Sequence, residues 1–265
     1  MRKRLPWFPL ARCVTNAKFD EVNLVLLNES EVASGLPADD PRTQHLLQVM
    51  GLKTGESFHA GIIQGHRGIA TITETHPRLK FTLKLEKEIQ PQLPCEIIVG
   101  LPRPATAKKV LYEGACLGIE RIFFFSSEKS DPSYAQSTLW KNKGWEEFLI
   151  KGAEQAYTTR LPEVIVFPTL TEALSQISQQ NWRVVLDPYE ATGTLKSCKS
   201  KEKRGTLAIG SERGWTDRER LLLKESGFHF YHLGDRILRV EAACLVGTAI
   251  MLSQLNAWQS HRPTL

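Results

Sequence analysis

Leu207-Ala208-Ile209-Gly210-Ser211-Glu212-Arg213-Gly214-Trp215 is followed, one helix and one strand later, by Leu233-Gly234-Asp235-Arg236-Ile237-Leu238-Arg239-Val240-Glu241-Ala242. Both stretches have one layout: an apolar strand runs into a glycine-containing turn dense with charge, and a helical pattern follows. Two such turns in adjacent strand–loop–helix units place backbone amides and charged groups at one end of a sheet. In open α/β sheets that crevice is where ligands bind. A structural turn needs a glycine and something polar; it does not need Glu212, Arg213, Arg236, Arg239 and Glu241 gathered around two apolar strands.

Outward from these turns the strand–helix alternation continues upstream to about residue 95. Apolar runs at 95–100, 121–125, 163–167, 182–186, 206–209 and 228–233 read as strands. Helical patterns run through Ala107, Val110 and Leu111, through Leu139, Phe148, Leu149 and Ala153 as one longer helix, and over 171–178, 217–226 and 240–255. Buried-strand runs alternating with helices predict an α/β domain with a mainly parallel sheet covered on both faces. Thr216 and Glu219 form a capping box, and Gly227 stops that helix. The lysine-rich stretch 191–205 reads as a solvated, mobile loop.

Before residue 90 the chain has another character. Short segments at 23–27, 57–63, 68–73 and 81–85 read as strands of a small β-rich unit. One helix interrupts them, with Asp40 as N-cap, Pro41 at its first position and Gly51 at its end. Gln90-Pro91-Gln92-Leu93-Pro94 reads as a linker, which divides the chain into residues 1–90 and 91–265.

With 265 residues, 42% hydrophobic and 24% charged, the chain has room for two ordinary domains and the composition of a globular protein. No apolar run reaches the ~18 residues of a membrane span. The basic start Met1-Arg2-Lys3-Arg4 lacks the apolar stretch of a secretory signal. Five scattered cysteines with no C-x-x-C pair predict reduced thiols, a cytoplasmic setting and no metal site. The net charge of +5 permits a polyanionic partner. Dinucleotide (G-x-G-x-x-G), P-loop, H-E-x-x-H and G-x-S-x-G motifs are all absent.

The C-terminal turns carry a family resemblance. Ile209–Gly214 resembles the I-G-P-E-G-G loop, and Leu233–Ala243 the L-G-x-R-I-L-R-x-E-T-A segment, of the RsmE-type methyltransferases of the SPOUT superfamily. Gly152-Ala153-Glu154-Gln155-Ala156 with Arg160-Leu161-Pro162-Glu163-Val164 is similar to that family's A-x-E-Q and R-x-P-x-V. His45-Leu46-Leu47-Gln48-Val49-Met50-Gly51-Leu52-Lys53-Thr54-Gly55-Glu56 is similar to its H-L-x-x-V-x-R-x-x-x-G-D. Ser211, Arg213 and Ala242 depart from the family spelling, which has proline, glycine and threonine there.

The resemblance implies a PUA-like β-barrel followed by a SPOUT α/β domain with a deep trefoil knot, assembled as a homodimer. It implies an enzyme that methylates N3 of a specific uridine in 16S rRNA of the small ribosomal subunit, using S-adenosylmethionine. Leu186, Asp187, Pro188, Ile209, Gly210, Glu212, Gly214, Leu233, Gly234, Ile237 and Leu238 are then the expected cofactor-binding residues. Because uracil N3 is mostly protonated at neutral pH, a base or an anion stabiliser is needed. Glu241 is the candidate base, with Arg239 and Arg236 to stabilise the anion or hold phosphate. Glu241 could equally be a carboxylate favouring a helix start, and Glu212 a structural ion pair. His45 reads as a surface or core histidine. Arg2, Lys3, Arg4 and Arg12, interleaved with Trp7 and Phe8, are expected RNA contacts, with Arg42, Lys53 and Arg67 as weaker ones. Two rival functions stand: methylation of another RNA position or a ribose 2′-hydroxyl, or RNA binding without the cofactor.

Overall fold

A computed structural model describes residues 24–258. Arg2, Lys3, Arg4, Trp7, Phe8 and Arg12 lie outside the described residues.

The first part is built on a five-stranded sheet. Its elements are β1 (Val25–Leu27), α1 (Glu29–Ser34), β2 (Leu36–Pro37), α2 (Pro41–Gln44), β3 (Ser57–Ile62), β4 (Arg67–Glu74) and β5 (Arg78–Leu85). The order is β1-β3-β4-β5-β2, with an antiparallel β3-β4-β5 meander, β1 parallel to β3 and β2 antiparallel to β5. Alternation along β4 turns Gly68, Ala70 and Ile72 inward. Ala70 and Ile72 join Leu27, Leu36, Leu46, Leu79 and the edge-to-face pair Phe58–Phe81 in one core. Asp40 caps α2 by accepting from the Arg42 amide at 2.8 Å. The expected single helix to Gly51 instead loosens after Gln44 into a π-helical turn, His45–Val49. α1 and β2 were not expected; α1 buries none of its residues, so it has no apolar period to read.

The second part is a six-stranded, wholly parallel sheet in the order β11-β9-β10-β6-β7-β8. These strands are β6 (Leu93–Gly100), β7 (Ile119–Phe125), β8 (Glu163–Phe167), β9 (Trp182–Leu186), β10 (Gly205–Ile209) and β11 (His229–Tyr231). The connecting helices are α3 (Pro104–Leu117), α4 (Thr138–Lys141), α5 (Glu146–Gln155), α6 (Leu170–Ser175), α7 (Asp217–Glu225) and, last, α8 (Val240–Gln254). Alternate residues of each strand feed separate cores. Ile97, Val99, Phe124, Val184 and Leu207 pack with residues of α3, α5 and α8; Ile98, Phe123, Phe125, Val185 and Ala208 pack with those of α6 and α7. Burial on both faces explains why the strands read as continuous apolar runs.

Three expectations are corrected here. The linker ends sooner than expected, because Leu93 already pairs with Gly118 and opens β6. The long helix through Leu139 and Ala153 is broken between α4 and α5, where Lys143 takes a positive φ of 52° beside Gly144. The 191–205 loop is anchored: Thr192, Gly193 and Leu195 exchange backbone hydrogen bonds with Phe230 and His232, and Leu195 is fully buried. Its lysines 196, 199, 201 and 203 do stay exposed.

The two sheets are fastened by the segment after α5. Leu26 N–H donates to the Glu154 carboxylate at 3.0 Å, Thr159 Oγ1 to Gly65 O at 2.6 Å, and Arg67 to Tyr157 O at 2.9 Å. The Tyr157 hydroxyl meets His59 Nδ1 at 2.5 Å.

Candidate cofactor and acceptor cleft

Strands β9, β10 and β11 end side by side, so the loops that follow them converge. They enclose a cleft of about 1010 Å³. Every residue expected at the cofactor lines it: Leu186, Asp187 and Pro188; Ile209, Gly210, Glu212 and Gly214; Leu233, Gly234, Ile237 and Leu238. Arg236, Arg239 and Glu241 line it as well. The volume is ample for a nucleoside-sized ligand.

The loop after β10 is a tight turn, Gly214 N–H donating to Ser211 O at 2.8 Å. A Cβ on Gly210 would sit 3.0–3.3 Å from the Gly214 and Trp215 backbone, so a side chain there would pry the turn open. Gly214 takes φ +67°, whereas Arg213, exposed at the cleft, has no positive φ. The arginine in place of the family's glycine therefore puts no strain on the turn. Trp215 is buried, stacks on Phe125, and donates Nε1–H to Leu186 O at 3.1 Å, locking this loop to the β9 end. Gly234 provides a torsion of φ +123° that its own turn requires.

The carboxylates are all engaged. Asp187, 1% exposed, accepts from Tyr189 N–H at 2.9 Å and from Arg220 Nε at 2.6 Å, so its side chain braces the loop. Glu212 accepts from the Arg103 amide at 3.1 Å at the start of α3, the structural role that the sequence left open for it. Glu241, in the first turn of α8, meets Lys109 Nζ at 3.2 Å. Partial burial pushes the Glu241 carboxyl up, but its own backbone amide, Lys109 and Arg239 outweigh that and hold it below the usual range. Arg213, Arg236 and Arg239 make no ion pair among the described residues. Tyr231, at the cleft wall, is pushed up to about 12 by burial and by Cys198, so its hydroxyl remains protonated.

Apolar groups stand at the rim, with Tyr189 77%, Ile237 79% and Leu238 39% exposed. Exposed apolar side chains around a concave site favour a ligand with flat apolar faces. Sequence reasoning missed Arg103, Lys129, Tyr189 and Arg220 as cleft residues. Arg103 and Lys129 follow the ends of β6 and β7, so counting every strand end would have found them; for Arg220 no local signal exists.

Of the expected RNA contacts, Arg42, Lys53 and Arg67 fall within the described residues. Arg42 is bound by Glu31, Asp40 and the Leu26 carbonyl, and Arg67 by Glu86 and the Tyr157 carbonyl. The Arg42 guanidinium ties together groups of the first part, and that of Arg67 also reaches across to the second. Lys53 is exposed, and so is His45. A second hollow, about 750 Å³, lies at the opposite end of the parallel sheet, but Arg121, Arg160 and Arg204 there bond to Glu96, Gln64 and Glu120. Among the described residues no cluster of three or more His, Cys, Asp or Glu converges on a metal position, and no helix is long and apolar enough to cross a membrane.

Residues 89–252 match the RNA methyltransferase domain family. The chain is 34% identical to the ribosomal RNA small subunit methyltransferase E of Treponema pallidum (strain Nichols), covering 91% of this chain and 95% of that protein. It is 29% identical to ribosomal RNA small subunit methyltransferase E 1 of Borreliella burgdorferi, covering 88% and 99%. The crystal structure of a ribosomal RNA small subunit methyltransferase E from Neisseria gonorrhoeae bound to S-adenosyl methionine shares the fold. It has a TM-score of 0.72 at 23% identity and covers 88% of this chain and 98% of that one. The chain belongs to the RNA methyltransferase family and, within it, to the ribosomal RNA small subunit methyltransferase E group.

Proposed function

We propose that this S-adenosylmethionine-dependent rRNA methyltransferase methylates N3 of one uridine in 16S rRNA. The observation that carries the reading is the convergence of the three strand-end loops, with Glu241, Arg236 and Arg239 beside the glycine turns, into one cleft. The residues present fit the cofactor. Backbone groups of the Gly210, Gly234 and Ile237–Leu238 turns suit adenine and ribose, and Leu186, Ile209, Leu233 and Leu238 suit the ring faces. S-adenosylmethionine supplies an electrophilic methyl on a positively charged sulfur, so the protein's task is chiefly alignment.

Glu241, its carboxyl held below the usual range, would take the N3 proton, and bound S-adenosylmethionine would supply the methyl group. A carboxylate held low is a weak base, so the cost of creating the uracil anion falls to Arg236 and Arg239, which stabilise its carbonyl oxygens. Among the described residues neither guanidinium is occupied by an ion pair.

The RNA is held by Lys53, which is exposed, and by Arg2, Lys3, Arg4 and Arg12. Residues 1–90 form a PUA-like barrel domain and 91–265 a SPOUT domain with a C-terminal trefoil knot, working as a homodimer in the cytoplasm. Support for the knot is that residues 192–195 pair along β11 while Gln254 at the end of α8 donates to the Lys196 carbonyl. Deleting the gene and mapping 16S rRNA by reverse transcription tests the target. An N3 methyl blocks the Watson–Crick edge, so the stop at the uridine should vanish; a stop that persists would remove the assignment.

A further inference from the structure

Arg103, at the N-cap of α3, and Thr106 in its first turn line the cleft, and Lys109 follows further along the helix; Arg103 and Lys109 each meet a carboxylate from a different wall. Arg103 sits at Glu212 and Lys109 at Glu241. Lys109 itself is not part of the cleft lining, and its side chain is 59% exposed; that of Glu241 is 16% exposed. A long, strongly hydrated lysine forgoes side-chain freedom to make such a contact. What the contact holds is the Glu241 carboxylate, which lines the cleft.

We propose that Lys109 is a positioning residue for methyl transfer, its ammonium, 3.2 Å from Glu241 Oε1, holding that carboxylate in place at the cleft. This rests on the reading of Glu241 as the proton acceptor. The groups acting on Glu241 are Lys109 from α3, Arg239 from the preceding loop and, one turn along α8, the buried thiol of Cys244; Arg236 lines the same cleft. Of these only Lys109 contacts the carboxylate across elements. Arg239 adds field without an ion pair, and the Cys244 thiol is pushed up by burial and stays neutral. Removing the ammonium leaves partial burial less opposed, so Glu241 becomes easier to protonate.

The test uses the full chain, S-adenosylmethionine and small ribosomal subunits lacking the modification, with kcat and KM measured across pH. Lys109→Met should lower kcat several-fold with KM for S-adenosylmethionine unchanged, and should move the acidic limb of the kcat profile to higher pH. Lys109→Arg should restore both. In a Glu241→Gln background, Lys109→Met should have no further effect. An acidic limb that stays in place in Lys109→Met, or an equal loss in the Glu241→Gln background, overturns the role of Lys109 while leaving the methyltransferase reading intact. A wild-type enzyme that methylates no uridine overturns that reading, and this proposal with it.

Discussion

Arg220→Met removes the only guanidinium that faces a carboxylate buried to 1% exposure. In the wild type Asp187 Oδ2 accepts from Arg220 Nε at 2.6 Å and Oδ1 from Tyr189 N–H at 2.9 Å. The substitution keeps the Tyr189 contact to Oδ1 and leaves Oδ2 charged and unpaired inside the protein. Breaking a buried ion pair from one side costs about 3–5 kcal/mol. Arg220 is itself 16% exposed, so water can reach the vacated position, which points to the lower end. Roughly 3 kcal/mol is a factor of more than about 100 in the unfolding equilibrium. Urea denaturation reads the loss directly, and calorimetric titration with S-adenosylmethionine should show weaker binding, because the same carboxylate braces residues 187–189. Arg220→Met combined with Asp187→Asn should recover a large part of the stability, since the orphaned charge is gone. A loss below about 1 kcal/mol, the size of an exposed pair, would refute the reasoning, as would a double variant no more stable than the single one.

Three further outcomes follow from other contacts. Gly100→Ala places a Cβ 2.6 Å from the Ser211 amide, so β6 or the 210–215 turn must shift. Stability should fall by ~1–3 kcal/mol and S-adenosylmethionine affinity with it; wild-type affinity in calorimetry would show that the turn tolerates the push. Glu31, which burial pushes up but Arg42 pulls further down, and Asp40, lowered first by its hydrogen bond to Arg42, both sit below the usual carboxylate range. Depressed carboxylates contribute stability that is present above their unfolded values and lost as pH falls through the folded ones. Arg42→Met should flatten the acid dependence of the urea midpoint, and an unchanged slope would contradict the pairing. Burial pushes the thiols of Cys95 and Cys244 far up, and both are fully buried. Native-state alkylation followed by peptide mass spectrometry should therefore label Cys116 and Cys198 well before either of them.

What could be read from the chain beforehand tracks what local chemistry encodes. The parallel strands announced themselves because burial on both faces demands unbroken apolar runs such as Ile97-Ile98-Val99 and Phe123-Phe124-Phe125. The capping box at Thr216 and Glu219 forms as spelled. All three strand-end loops expected to converge do line one cleft, because strands in parallel register end at one level. Local spelling could not show that Asn142-Lys143-Gly144 would break a helix whose apolar stripe continues past it. Nor could it show that Leu195 would be drawn into the core by pairing with β11, since that edge lies more than thirty residues downstream. Charge was the least legible property. Arg42 and Arg67, expected as phosphate contacts, also pair with Glu31, Asp40 and Glu86, while Arg103, Lys109 and Arg220 act on carboxylates distant in sequence.

The most direct test of the central claim is nucleoside analysis of 16S rRNA. Small subunits from a strain lacking the gene are incubated with the purified chain and methyl-labelled S-adenosylmethionine, and the rRNA is then digested and resolved by mass spectrometry. The label should appear in 3-methyluridine, stoichiometrically at one position, and should be lost with Gly210→Trp, which obstructs the cleft turn. Label in a 2′-O-methyl nucleoside or in another base, or no label at all, would contradict the account.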